Sequence, residues 1–357
     1  MNPNFVPYRK AAAYLQERLR EKNLPLPQVG IICGSGLSEL SEAFEGSNND
    51  SNDKSNNILY VPYGSIPGFP KECTVSGHKG EVAFGFLKQV PTICFRGRFH
   101  SYEGHEMKTV VLPVYVMRCL GVKVLIVTNA AGGLNPSFQV GDVCCVDDHL
   151  AIPQLAGKNP LIGPNDDDLG PRFPPTSNAY SEPLRMAVGK AANDLNYQDF
   201  VRCEGSCYCF VSGPMYESRA ECRFLRNLGG DMVGMSTVPE VVAAHHCDIK
   251  VLCLSLITNK VIMEGHEGPV ASHQEVLEAV EKRSKQMQEL VKQIVTVIKE
   301  TVLPDLPDLN KVPLIYSSWR DHLPNSETII PWISPLAALI LGAVLATTSN
   351  VKVKYAK

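Results

Sequence analysis

Val29-Gly30-Ile31-Ile32-Cys33-Gly34-Ser35-Gly36 reads as a short apolar strand that runs straight into a glycine turn. Residues 37–44 follow as a short predicted helix. Strand, glycine turn and helix form the opening unit of an α/β domain. Continuous apolar runs at 82–87, 92–95, 124–128, 143–146 and 251–257 predict further strands, buried on both faces. Helices are expected at 11–21, 110–120, 217–228 and 241–247. A long one follows Ser272, which forms a capping box with Glu275. Val276, Val280, Met287, Val291, Ile294 and Ile298 mark its apolar face. The expected class is α/β, a mixed central sheet surrounded by helices.

The chain has 357 residues and a net charge of -3, so no basic surplus points to nucleic acid. Its 12 cysteines form no disulfide framework. Cys33, Cys94, Cys144, Cys145 and Cys253 lie in apolar runs as small buried hydrophobes, and Cys203, Cys207 and Cys209 lack zinc-site spacing. No metal is expected. The first ten residues hold no apolar signal region, which together with the cysteines favours a cytoplasmic catalytic domain.

Texture divides the chain. Residues 1–300 form the expected catalytic domain, interrupted by an Asn/Asp/Ser-rich insertion at 46–57. Residues 301–327 carry Pro304, Pro307, Pro313 and Pro324 and read as a linker. The segment 328–348 has an almost wholly apolar core at 329–346, and about 18 such residues is near the lower limit for spanning a bilayer. It predicts a C-terminal hydrophobic helix anchoring the domain to an intracellular membrane, ahead of a basic polar tail at 349–357.

Six segments carry chemistry. Cys33-Gly34-Ser35-Gly36-Leu37 brings backbone and a hydroxyl close to an anion. It is neither a dinucleotide fingerprint, since Glu39 occupies the third glycine position, nor a P-loop. In Arg96-Gly97-Arg98-Phe99-His100-Ser101-Tyr102-Glu103-Gly104, extended backbone would put Arg98, His100 and Tyr102 on one face, which suits an oxyanion such as phosphate. His78, on a glycine-rich turn, is a further anion ligand. Asn129-Ala130-Ala131-Gly132-Gly133 leaves room for a ligand at a strand end. Gly213-Pro214-Met215-Tyr216-Glu217 offers an aromatic and a carboxylate. Gly234-Met235-Ser236-Thr237-Val238-Pro239-Glu240 and Thr258-Asn259-Lys260 place polar side chains beside apolar runs.

In their order and spacing these segments resemble the trimeric purine nucleoside phosphorylases, over residues 11–300. The resemblance implies that Ser35, His78, Arg98, His100, Ala130 and Ser236 bind phosphate. It implies that Glu217, Asn259 and Tyr216 hold the purine, and that Tyr102, Met235, His273 and Phe173 bound the ribose. Phe173 would come from a neighbouring subunit of a homotrimer, and Tyr208 would form another pocket wall. Asn259, Glu217 and His100 would be catalytic. The implied activity is phosphorolysis of 6-oxopurine nucleosides such as inosine and guanosine, with inorganic phosphate as co-substrate and no cofactor. Two alternatives remain open: a methylthioadenosine phosphorylase, whose purine site carries Asp in place of Asn259, and an inactive purine-binding membrane protein. A water-using nucleosidase fits less well, because water needs no phosphate cradle. Ser38 departs from the glycine of many members, Tyr216 from the usual phenylalanine, and residues 264–271 from the family pattern.

Overall fold

The computed structural model describes residues 6–45, 58–263 and 272–309, without the side chain of His273. Eleven strands among them form one mixed sheet. They are β1 (Val29–Ile32), β2 (Leu59–Pro62), β3 (Glu81–Leu87), β4 (Val90–Arg96), β5 (Val124–Gly133), β6 (Val143–Cys145), β7 (Asp148–Ala151), β8 (Val201–Arg202), β9 (Cys207–Phe210), β10 (Met232–Gly234) and β11 (Lys250–Lys260). The helices are α1 (Val6–Glu21), α2 (Met107–Val110), α3 (Leu112–Cys119), α4 (Ile152–Leu155), α5 (Glu182–Leu195), α6 (Arg219–Asn227), α7 (Val238–His246) and α8 (His273–Thr301).

The strand order is β2-β3-β4-β1-β5-β10-β9-β7, with β11 paired to both β5 and β6. Side chains of β5 alternate between two cores, as a strand's two-residue period requires. Leu125 and Val127 pack with α1, α3 and α7. Val124 and Ile126 pack with α5 and α8.

β5 also positions the site. Its first half pairs in parallel with β1, ending at Ile32↔Val127. Its last residues pair antiparallel with β10, Met232↔Gly133 and Val233↔Gly132. The sheet therefore divides along β5, and the glycine turn after β1 opens into the gap. Crevices at such points are where α/β sheets bind ligands.

Several sequence expectations change. Residues 37–44 form a 3-10 turn, Ser38–Ala43, rather than an α-helix. Leu37, Leu40 and Ala43 are all buried at three-residue spacing, which the 3-10 repeat places on one side. Asn129–Gly133 continues β5 because β10 and β11 supply ladder partners on both sides. The helix expected at 110–120 is two, since Pro113 belongs in a first turn and starts α3. Ser272 caps α8 as read. Residues 302–309, at the start of the expected linker, pack on the domain. Val302, Leu303 and Leu309 are buried, and Arg118 donates to the Leu309 carbonyl at 2.6 Å.

Among the described residues no helix is long and apolar enough to cross a membrane. The insertion at 46–57, the departing segment at 264–271 and the apolar segment at 328–348 lie outside them. All 12 cysteines are free thiols.

Candidate active site

A cavity of about 120 Å³ lies in the gap beside β5, lined by the glycine turn, Arg98, His100 and the ends of β5, β10 and β11. Gly34 makes it possible: a Cβ there would stand 2.7 Å from Asn129 Cα and 2.9 Å from the Thr128 carbonyl. Gly36 then turns the chain at φ +74°.

Arg98 forms the floor, 2% exposed. Its Nη1 donates to Ser236 Oγ (2.8 Å) and Thr237 Oγ1 (2.9 Å). Its Nη2 donates to the Thr128 carbonyl (2.5 Å), with the Ile32 carbonyl at 3.4 Å. Buried Glu240, at the start of α7, lies 3.4 Å from Nη1. A guanidinium this deep requires such a partner.

Glu103 orients His100. Its Oε1 accepts from the His100 backbone N–H and contacts Nδ1, both at 2.9 Å. Its Oε2 accepts from the Thr74 hydroxyl (2.6 Å) and backbone N–H (3.3 Å). Burial opposes the Glu103 charge, but these bonds outweigh it and bring the pKa down to about 2. An ionised carboxylate assigns the His100 proton to Nδ1 and leaves Nε2 as an acceptor. Burial, with Arg98 nearby, lowers the His100 pKa against the pull of Glu103 and keeps the ring neutral.

His78 stacks on His100, ring centres 5.3 Å apart. It receives the Arg98 backbone N–H at Nδ1 and places Nε2 against Ser35 Oγ, each at 3.4 Å. Burial, then His100 and Arg98, take its pKa down to about 3. It stands behind Ser35 rather than on the cavity wall. Tyr102 stacks on the other face of this group, 4.5 Å from His100. It gets there through a 3-10 turn, Ser101–Glu103, rather than by strand alternation.

The opposite wall holds Tyr216, Glu217 and Asn259. A bulge in β11 between Ile257 and Asn259 re-aims the strand end. The Thr258 hydroxyl lies 3.2 Å from Asn259 Oδ1. Donating there, it leaves the Asn259 amide N–H groups for the cavity. Burial raises the Glu217 pKa.

The phosphorylase superfamily model matches residues 28–296. The purine nucleoside phosphorylase of Bos taurus is 43% identical over 287 residues, covering 80% of this chain and 93% of the relative. The Schistosoma mansoni purine nucleoside phosphorylase solved with adenosine is 40% identical, with a TM-score of 0.72 over 81% of this chain and 95% of that one. A Schistosoma mansoni purine nucleoside phosphorylase solved with inosine is 38% identical, with a TM-score of 0.70 over 81% of this chain and 96% of that one.

The chain belongs to the purine nucleoside phosphorylases.

Of the residues that family resemblance points to, the cavity brings together Ser35, Arg98, His100, Tyr102, Ala130, Tyr216, Glu217, Met235, Ser236 and Asn259. Tyr208 is fully buried beneath Gly234 and is not a cavity wall: a Cβ on that glycine would sit 2.3 Å from the Tyr208 hydroxyl. Phe173 lies elsewhere, 86% exposed, with Leu155 and Ile162 in a separate surface hollow. The His273 side chain lies outside the described residues.

Sequence reading assigned no role to Thr74, Glu103, Thr237 or Glu240. Glu103, three residues after His100, and Glu240, three after Thr237, look alike in sequence as first-turn acidic residues. Thr237 shows no signal at all. Its φ of +76° is an outlier for a β-branched residue. Hydrogen bonds to its hydroxyl from Arg98 and from Asn129 Nδ2 (3.0 Å) hold it there.

Proposed function

We propose that the chain catalyses phosphorolysis of 6-oxopurine ribo- and deoxyribonucleosides, inosine and guanosine among them. The products are free base and (deoxy)ribose 1-phosphate, a pentosyl transfer in purine salvage. One observation carries the reading: a single cavity sets the Ser35 and Ser236 hydroxyls, the Arg98 guanidinium and the proton-accepting His100 against a carboxylate and an amide, Glu217 and Asn259.

Phosphate sits against Ser35, Arg98, His100, the Ala130 amide and Ser236, with His78 behind Ser35. His100 accepts the phosphate proton at Nε2 while a phosphate oxygen bonds to C1′ and the C1′–N9 bond breaks. The ribosyl group becomes oxocarbenium-like, and the phosphate charge beside it stabilises it. Electron density moves into the purine, where Asn259 donates to N7 and Glu217 accepts from N1–H. The released base ends with the proton that phosphate lost. Tyr102, Met235 and His273 bound the ribose and Tyr216 packs on the base. Phosphate is the nucleophile, so the reaction calls for no cofactor.

Adenosine lacks N1–H, and Glu217 would face an unprotonated acceptor. A relative crystallises with adenosine, so discrimination is expected in turnover efficiency rather than in entry to the site. Similar kcat/KM for adenosine and inosine would sink this assignment.

The homotrimer is part of the proposal. Exposed Phe173, with Arg172 over its ring at 5.3 Å, completes a neighbour's site. Residues 328–348 are proposed as a tail anchor holding a cytoplasmic domain to an intracellular membrane. Carbonate-resistant pelleting of the full chain, lost on truncation after residue 327, tests that part. The central test measures hypoxanthine release from inosine with and without inorganic phosphate. Phosphate-dependent release is expected, and release without phosphate overturns the reading.

A further inference from the structure

Arg98 is the only arginine or lysine among the described residues lining the cavity. Its four terminal N–H groups already face protein oxygens, on Ser236, Thr237, Thr128 and Ile32. Glu240 is therefore not needed to satisfy them. Its Oε2, 3.4 Å from Nη1, has no hydrogen-bond donor among the described residues. Burial raises the Glu240 pKa against the pull of Arg98 and of the Thr237 backbone N–H, and the carboxylate faces the guanidinium as a charge partner rather than a hydrogen-bond partner. Both side chains are 2% exposed, and Phe99, Met107, Val110 and Phe210 wall the small hollow around them. Little water reaches this pair, so the charges are weakly screened. Glu240 also sits in the first turn of α7, where the helix dipole favours an anion.

We propose that Glu240 is a positioning residue that cancels the charge of Arg98, so that phosphate is gripped by hydrogen bonds and keeps its own negative charge for the ribosyl cation. This rests on the phosphorolysis reading. With Glu240 neutralised, an uncompensated guanidinium would hold phosphate more tightly before reaction. Ground-state binding of that kind lowers KM without raising kcat. A purely structural role has the opposite sign: a damaged cradle binds phosphate more weakly.

The test uses the full chain with Glu240→Gln and Glu240→Asp. Phosphate affinity is measured by calorimetry and inosine phosphorolysis at graded phosphate. E240Q is expected to bind phosphate about tenfold tighter, some 1.4 kcal/mol, with a lower phosphate KM and a lower kcat. E240D keeps the charge and is expected to return both values toward wild type. If E240Q folds only with phosphate present, the phosphate-dependent rise in its melting temperature reports the same affinity. Weaker or unchanged phosphate binding in E240Q overturns the proposal, as does equally tight binding in E240D. A wild-type chain that binds no phosphate overturns the phosphorolysis reading and this inference with it.

Discussion

Replacing Glu103 with glutamine isolates the proton chemistry of His100. The carboxylate accepts from His100 at one oxygen and from Thr74 at the other. A glutamine cannot serve both sides. With its carbonyl toward His100, its NH2 can donate to the Thr74 hydroxyl but opposes the Thr74 backbone N–H. With its NH2 toward His100, Nδ1 must become an acceptor, and the proton moves to Nε2. That tautomer donates to phosphate where the reaction needs an acceptor. Loss of a positioned proton acceptor slows reactions by roughly 10²–10⁴-fold, and each hydrogen bond to a charged group contributes about 1.5–3 kcal/mol. The phosphate kcat/KM of E103Q is therefore expected to fall by about a hundredfold or more. Steady-state hypoxanthine release under phosphate titration measures it, with circular dichroism to confirm folding. A folded E103Q within about threefold of wild type would refute the argument that Glu103 fixes the tautomer of a proton-accepting His100.

The same carboxylate predicts an acid-stability difference. Its folded pKa, about 2, lies below the unfolded value of about 4.3. Its contribution, on the order of 3 kcal/mol, is present above pH ~4.3 and lost as pH falls toward 2. Urea melts should show wild type and E103Q converging over that window; a constant gap would contradict it. Asn259→Asp replaces the N7 donor with a charge facing electron density, and kcat for inosine should fall roughly 10²–10³-fold in a stopped assay. Ser38→Ala removes the bond from Ser38 Oγ to the Gly77 carbonyl, 3.0 Å, beside His78. A few-fold rise in phosphate KM is expected at unchanged base preference, about 1 kcal/mol of lost hydrogen bonding. Phe173→Ala should raise the nucleoside KM at least about tenfold while leaving the phosphate KM near wild type. An unchanged nucleoside KM would place Phe173 outside the neighbouring site.

Strand existence was legible because buried strands are written as continuous apolar runs: 82–87 and 251–257 lie within observed strands, and 29–33 overruns β1 by one residue. Strand ends were not. β5 and β11 run on through Asn129–Gly133 and Thr258–Lys260 because each lends the other ladder partners, and pairing between distant segments leaves no local trace. The 3-10 turn after Gly36 was read as a helix because burial every third residue imitates helical spacing over so short a segment.

The site divides in the same way. Ser35, Arg98, His100, Glu217 and Ser236 lie in motifs that carry glycines; with Asn259, whose strand end carries none, they are named as candidates through the family resemblance of those motifs. What those residues rest on was decided only by tertiary structure. Thr74 reaches Glu103 across 29 positions, and Arg98 reaches Ser236 across 138. The division of β5 between β1 and β10, the positive φ of Thr237 and the burial of Glu240 against Arg98 all follow from chain packing. Local sequence specifies which chemistry is available. Burial and long-range pairing set the protonation, orientation and charge with which it acts.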